Sequence, residues 1–268
     1  MSEGLRHFLL ALQFFTRIPV TGRLAAWVGY SPAMLNRASG HFPGVGWVVG
    51  GVGALVLWAA GARFGASPLG ALLAALLSLA ATAWLTGAFH EDGLADTGDG
   101  LGGAVERARA LEIMKDSRIG SYGAVTLVLV LLLKCTLLAL LVQQGAARAA
   151  LALMGAQVLS RLAPLWVMRR LPYVSESGTA KSKPLADSVS GASLVLGIFW
   201  SIPALALMGL AQGAIGLMAA LLFWMVMLMA LLHLLRRRLQ GFTGDTLGAV
   251  QQLCELALYL GLACAVLP

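Results

Sequence analysis

Seven of the twelve acidic residues in this 268-residue chain lie between Glu91 and Asp116, within HEDGLADTGDGLGGAVERARALEIMKDSRIG. Asp92, Asp96 and Asp99 follow an i, i+4, i+7 spacing, which stacks three carboxylates on one face of a helix continuing out of the apolar stretch before it. Such crowding is unfavourable without a cation. Hard oxygen donors with no Cys and no paired His favour Mg2+ or Mn2+ over zinc. The glycines at 93, 98, 100, 102 and 103 argue against a long regular helix; they predict a backbone that bends around a bound group and lets phosphates approach. A charge run is ordinarily a solvated loop. Short aspartates at regular spacing, beside an apolar stretch and separated by glycines, depart from that pattern.

Lys115, Asp116, Ser117 and Arg118 follow in IMKDSRIGSYG, where cations beside hydroxyls and glycines suit phosphate oxygens; the plain alternative is a basic helix end. His90, next to the acids, could donate to a phosphate or polarise a nucleophile, whereas His7, His41 and His233 read as interface residues. Arg161, with Ser160 and Pro164, lies inside an apolar stretch and so demands a partner or a polar cavity. In TGDTLGAVQQLCE, Asp245 opens the last apolar stretch, either as an N-cap or as a functional acid. Glu255, further in, is expected to pair with Arg161 or Lys134, or to reach the cation.

The elements that must position these residues are membrane helices. With 59% hydrophobic residues, 12% charged residues and a mean hydropathy of +0.84, the chain is far more apolar than a soluble domain. We read it as an all-α, polytopic integral membrane bundle of about seven spans, near 44–62, 68–89, 123–143, 149–168, 190–211, 213–235 and 247–267. Residues 1–43 form an interfacial segment, and 90–122 an acidic active-site loop. An N-terminal amphipathic helix is expected to set Arg6, Gln13 and Arg17 opposite Leu5, Leu9, Leu12 and Phe15.

Counting Lys and Arg in short loops puts fifteen on the side of the acidic loop and only Arg63 and Arg148 on the other. That side is therefore cytoplasmic, and eleven of the twelve acids share it. The net charge of +7 is a membrane and phosphate signature; no basic stripe interleaved with aromatics suggests nucleic acid. Cys135, Cys254 and Cys264 lack metal-ligand spacing and read as buried apolar residues.

FHEDGLADTGDG, IMKDSRIGSYG, SRLAP with LPYV, and GFTGDTLGAVQQLCE, together with the N-terminal LQFFTRIPV and FPGVGWVVG, resemble the cobalamin synthase (adenosylcobinamide-GDP ribazoletransferase) family over nearly the whole chain. The resemblance implies a bacterial inner-membrane enzyme that joins adenosylcobinamide-GDP to α-ribazole or its 5′-phosphate. It releases GMP with Mg2+ required, late in vitamin B12 assembly. It places the acidic motif on His90, Asp92, Asp96 and Asp99, the second motif on Lys115 to Arg118, and the TGD motif on Thr243 to Asp245. SESGTAKS after LPYV departs from the Ala-Arg often found there.

On this view Asp92, Asp96 and Asp99 hold Mg2+, with Asp116 a further ligand or the base, and Glu255 a further ligand. Lys115, Ser117, Arg118, Arg161 and Asp245 contact substrate. Phe14, Phe15 and Trp47 lie on the side where the corrin ring must approach, and Glu91, Glu106 and Glu112 are expected to be solvated. Oligomeric state stays open, a homo-oligomer included. Two other readings share part of this pattern. A CDP-alcohol phosphotransferase shares only the DxxDG of Asp96 to Gly100. A cation-coupled transporter would place its acids near mid-membrane in paired halves.

Overall fold

The computed structural model describes residues 3–103, 106–174 and 189–266, and SESGTAKS therefore lies outside the described residues. The described chain is helical, with one isolated bridge between Tyr173 and Phe242. At one end of the molecule, α1 (Glu3–Phe15), α2 (Gly22–Val28) and α3 (Pro32–Ala38) precede the bundle. The long helices follow as α4 (Phe42–Phe64), α5 (Pro68–Thr86), α8 (Ser121–Gln143), α9 (Ala146–Ser160) continued by α10 (Ala163–Arg170), α11 (Gly191–Arg238) and α12 (Gly244–Val266). Two shorter helices, α6 (Phe89–Gly102) and α7 (Arg107–Ile113), occupy the acidic region.

Six stretches are long and apolar enough to cross a bilayer. The longest, α11, has 48 residues but is broken at Gly213, whose φ of 76° ends one helix and starts another. Its two arms lie side by side, since Leu205 of one and Leu221 of the other line one recess. Among the described residues the chain thus makes seven crossings, as the hydropathy predicts. Helix starts follow ordinary capping: Pro68 opens α5, and Ser67 Oγ accepts from Gly70 N at 3.1 Å.

Close packing comes from small residues. A Cβ at Gly46 of α4 would lie 2.5 Å from the Gln157 carbonyl oxygen of α9, so only glycine permits that approach. The three turns at 65–67, 144–145 and 212–213 gather at one end. There Gln143 Nε2 donates to Gly65 O (2.6 Å) and Arg148 Nε to Ala211 O (2.8 Å). The predicted site residues belong to the other half of the bundle, except Glu255, which lies midway along α12.

Several expectations need correction. The second span stops at Thr86, and the left-handed Gly87 and Ala88 (φ 67° and 57°) separate it from α6, which is a new helix. Arg17 lies beyond the end of α1, whose buried residues are His7, Leu10, Ala11, Leu12 and Phe15; Leu5 is exposed. The cause is that α1 packs on the bundle rather than on lipid alone, with Phe8 stacked on Trp200 at 5.8 Å. His7 and His41 are accordingly buried, and His41 Nδ1 accepts from Trp200 Nε1 at 3.2 Å. Cys264 is exposed, unlike Cys135 and Cys254.

Candidate active site

The acidic segment folds as a regular 14-residue helix, α6, not as a bent loop. Its glycines serve packing. A Cβ at Gly93 would lie 2.7 Å from the Asp245 carbonyl oxygen, so the helix can lie directly on the start of α12. Helical geometry at about 100° per residue then puts Asp92, Asp96 and Asp99 on one side and His90 roughly opposite. The close crossing brings a fourth acid, Asp245, to that side.

Asp96 feels the other three carboxylates. Burial pushes the Asp96 carboxyl up to about 7, and the Asp245, Asp92 and Asp99 charges add to it, in that order. Asp245 is not the helix cap. Thr243 Oγ1 accepts from Thr246 N (3.2 Å) and Thr246 Oγ1 from Thr243 N (2.9 Å), a reciprocal cap that does not use the Asp245 side chain. Asp99 does have a structural role. Its Oδ2 accepts from Gly120 N (2.7 Å) and its Oδ1 from Gly123 N (2.8 Å), tying α6 to the N-terminus of α8.

Beside Asp99 opens a cleft of about 570 Å3, lined also by Arg109, Asp116, Arg118 and Tyr122. Arg118 grips Asp116 in a fork, Nε to Oδ1 at 3.0 Å and NH2 to Oδ2 at 2.6 Å, and these hydrogen bonds pull the Asp116 carboxyl down to about 2. Lys115 and Ser117 are exposed next to them. Arg109, which the motif reading passed over, pairs with Glu112 at 2.7 Å.

His90 points the other way. It is 4% exposed and stacks on Phe15 at 5.4 Å. Burial holds its pKa well below the ordinary value, helped by the charges of Arg161 and Lys134, so the imidazole is neutral. With Phe14, Phe42, Phe89, Arg161 and Gln251 it lines a small aromatic cavity of about 40 Å3. Trp47 instead donates to Trp200 O at 3.0 Å.

Glu255 is not with the aspartates. It is 1% exposed; Oε2 meets Lys134 Nζ at 3.0 Å and Gln251 Nε2 at 2.9 Å, and Oε1 accepts from Gln157 Nε2 and Tyr259 OH, each at 2.8 Å. Those four donors occupy the carboxylate, and of the expected partners it is Lys134 that pairs with it. Arg161 reaches Gln157 (NH1 to Oε1, 2.6 Å), leaving its Nε buried without a partner. Glu91 is not a solvated bystander either, because it accepts from Gln252 Nε2 at 3.1 Å. The glutamines 157, 251 and 252 escaped the sequence reading, although polar side chains within apolar spans were the available signal.

Among the described residues no group of three or more His, Cys, Asp or Glu closes around a metal ion. The donor set nevertheless suits a hard divalent cation: carboxylate oxygens only, with no Lys or Arg paired to Asp92, Asp96 or Asp245 among the described ion pairs.

Fold and site together define a polytopic helical membrane protein with a carboxylate cluster and, beside it, a cleft lined by paired arginines and acids. The profile of the cobalamin-5-phosphate synthase family matches residues 7–263, and the chain belongs to that family. It is 52% identical over 275 residues to an adenosylcobinamide-GDP ribazoletransferase of Polaromonas naphthalenivorans (strain CJ2), covering 98% of this chain and 99% of the relative. It is 53% identical over 281 residues to the protein of that name in Albidiferax ferrireducens (strain ATCC BAA-621 / DSM 15236 / T118), with the same coverage. No solved structure matches it.

Proposed function

We propose that this chain is an adenosylcobinamide-GDP ribazoletransferase: a hydroxyl of α-ribazole or its 5′-phosphate displaces GMP from adenosylcobinamide-GDP. The observation that carries this reading is the gathering of Asp92, Asp96, Asp99 and Asp245, where burial first, and then the neighbouring carboxylates, raise the Asp96 carboxyl to about 7. Asp92, Asp96 and Asp245 would hold Mg2+, with Asp99 at their edge. Bound there, the ion would supply neutralisation of diphosphate charge.

The chain's own residues account for the rest. Arg118 and Arg109 face the cleft beside Asp99 and would bind phosphate oxygens, with Lys115 and Ser117 at its rim. While Arg118 holds it near 2, Asp116 is too weak a base to take a hydroxyl proton; its part is to orient Arg118. Neutral His90 and Arg161 face the aromatic cavity, on the opposite side of α6 from the acids. They would contact a substrate ring or its polar edge rather than the diphosphate. The fifteen-to-two distribution of Lys and Arg supports a site facing the cytoplasm of a bacterial inner membrane.

The test is GMP release by the purified full chain in lipid nanodiscs. Release should require adenosylcobinamide-GDP, Mg2+ and α-ribazole or its phosphate together. Inactivity of well-folded protein under all three would refute the proposal.

A further inference from the structure

A second recess lies on another face of the bundle, with its polar rim toward the end where Arg238 meets Leu101 and Gly103 of α6. Between α10 and the two arms of α11 runs a groove of about 390 Å3, walled by apolar side chains such as Trp166, Leu205, Leu221 and Leu228, and reached by Arg170. Where α10 and α11 finish, it adjoins a recess of about 160 Å3 formed by Arg170, His233 and Arg236. All three of these are exposed. Arg170 lies 5.7 Å from the Trp166 ring centroid, and neither Arg170 nor Arg236 has an ion-pair partner among the described residues.

Leu221 and Arg236 are fifteen residues apart on one arm (236 − 221 = 15), about 22 Å at 1.5 Å per residue. That is about the depth of one leaflet with its headgroups, half of a bilayer of about 40–45 Å. An apolar slot of leaflet length with a cationic rim at the polar end has the amphipathic pattern of a phospholipid. A second copy of the chain fits less well, because a two-fold contact at the groove would set its basic rim against the same rim.

We propose that this groove holds an acyl chain of an anionic glycerophospholipid, with the headgroup phosphate between Arg170 and Arg236 and beside His233. The site is independent of the transferase reading, and its test needs no turnover. Native mass spectrometry of the full chain in detergent would follow titration with phosphatidylglycerol and with phosphatidylcholine of the same acyl chains.

The wild type should keep one phosphatidylglycerol through detergent washes that strip phosphatidylcholine. R170Q/R236Q should weaken phosphatidylglycerol binding by about 30-fold, from about 1 kcal/mol per basic residue at a membrane surface, and weaken phosphatidylcholine, whose choline offsets its phosphate, by less. L228W, which fills the slot, should reduce retention of both lipids, whereas R63Q/R148Q at the other end should change neither. Equal phosphatidylglycerol retention by wild type and R170Q/R236Q would overturn the proposal, as would undiminished retention by L228W. A wild-type dimer that dissociates in L228W with lipid binding unaltered would assign the groove to a second copy instead.

Discussion

Neutralising Asp96 should make the metal-free protein less sensitive to alkali. The Asp96 carboxyl stands at about 7 against an ordinary 3.8. A raised folded-state pKa means that folding binds a proton, so the stability it contributes is fully present below about 3.8 and is lost as pH rises to about 7. At about 1.4 kcal/mol per pH unit the ceiling is about 4 kcal/mol, but the side chain is only half-buried and solvent screens it. We therefore expect about 1–2 kcal/mol, or about 2–8 °C in midpoint for a chain of this size. The assay is thermal unfolding in nanodiscs between pH 4 and 8, with chelator or with Mg2+. Chelated wild type should lose stability across that window, Asp96→Asn should lose less than half as much, and Mg2+ should flatten the wild-type profile. A flat profile in chelated wild type, or the same slope in Asp96→Asn, would refute the reasoning.

Asp99→Asn should destabilise the protein by about 1–3 kcal/mol, because an amide nitrogen must then face Gly120 N or Gly123 N; a melting midpoint equal to wild type would remove its capping role. Gly93→Ala should part α6 from α12 and abolish GMP release while the protein remains folded by circular dichroism, since its Cβ would lie 2.7 Å from the Asp245 carbonyl oxygen. Lys134→Met should cost about 3–5 kcal/mol by stranding Glu255, and Lys134→Met/Glu255→Gln should recover much of it; equal losses in single and double variants would show that the pair is not the cause.

The spans, their number and the end that carries the polar groups were legible in the sequence, because an apolar stretch of about 20 residues has few alternatives. What was misread depended on partners remote in the chain. Glycines between Asp92 and Gly103 look the same whether they bend a loop or admit a neighbouring helix; only the approach of Asp245 to Gly93, and of Tyr122 to Gly102, decides for packing. Once α6 is a helix, the opposite placement of His90 follows from its spacing, so that error came from the loop assignment. Glu255 could not be assigned between Lys134, Arg161 and a cation without knowing how three spans are rotated. Asp245 could not be separated from a cap until Thr243 and Thr246 were seen to satisfy each other.

The buried charges beneath the site have a consequence for the register of the helices above it. Lys134 of α8, Gln157 of α9, Glu91 of α6, and Gln251, Gln252 and Glu255 of α12 form one hydrogen-bonded set within the apolar bundle. Rotating α12 by one residue, about 100°, or sliding it one turn, about 5.4 Å, would strand both Glu255 and Lys134 in hydrocarbon. A stranded charge of that kind costs several kcal/mol, so the alternatives are disfavoured far more strongly than by apolar packing, which tolerates slippage among similar side chains. Asp245 stands ten residues from Glu255 (255 − 245 = 10), about 15 Å along the same rigid helix. Fixing Glu255 against Lys134 therefore fixes Asp245 against Gly93, and so sets the fourth carboxylate beside Asp92 and Asp96.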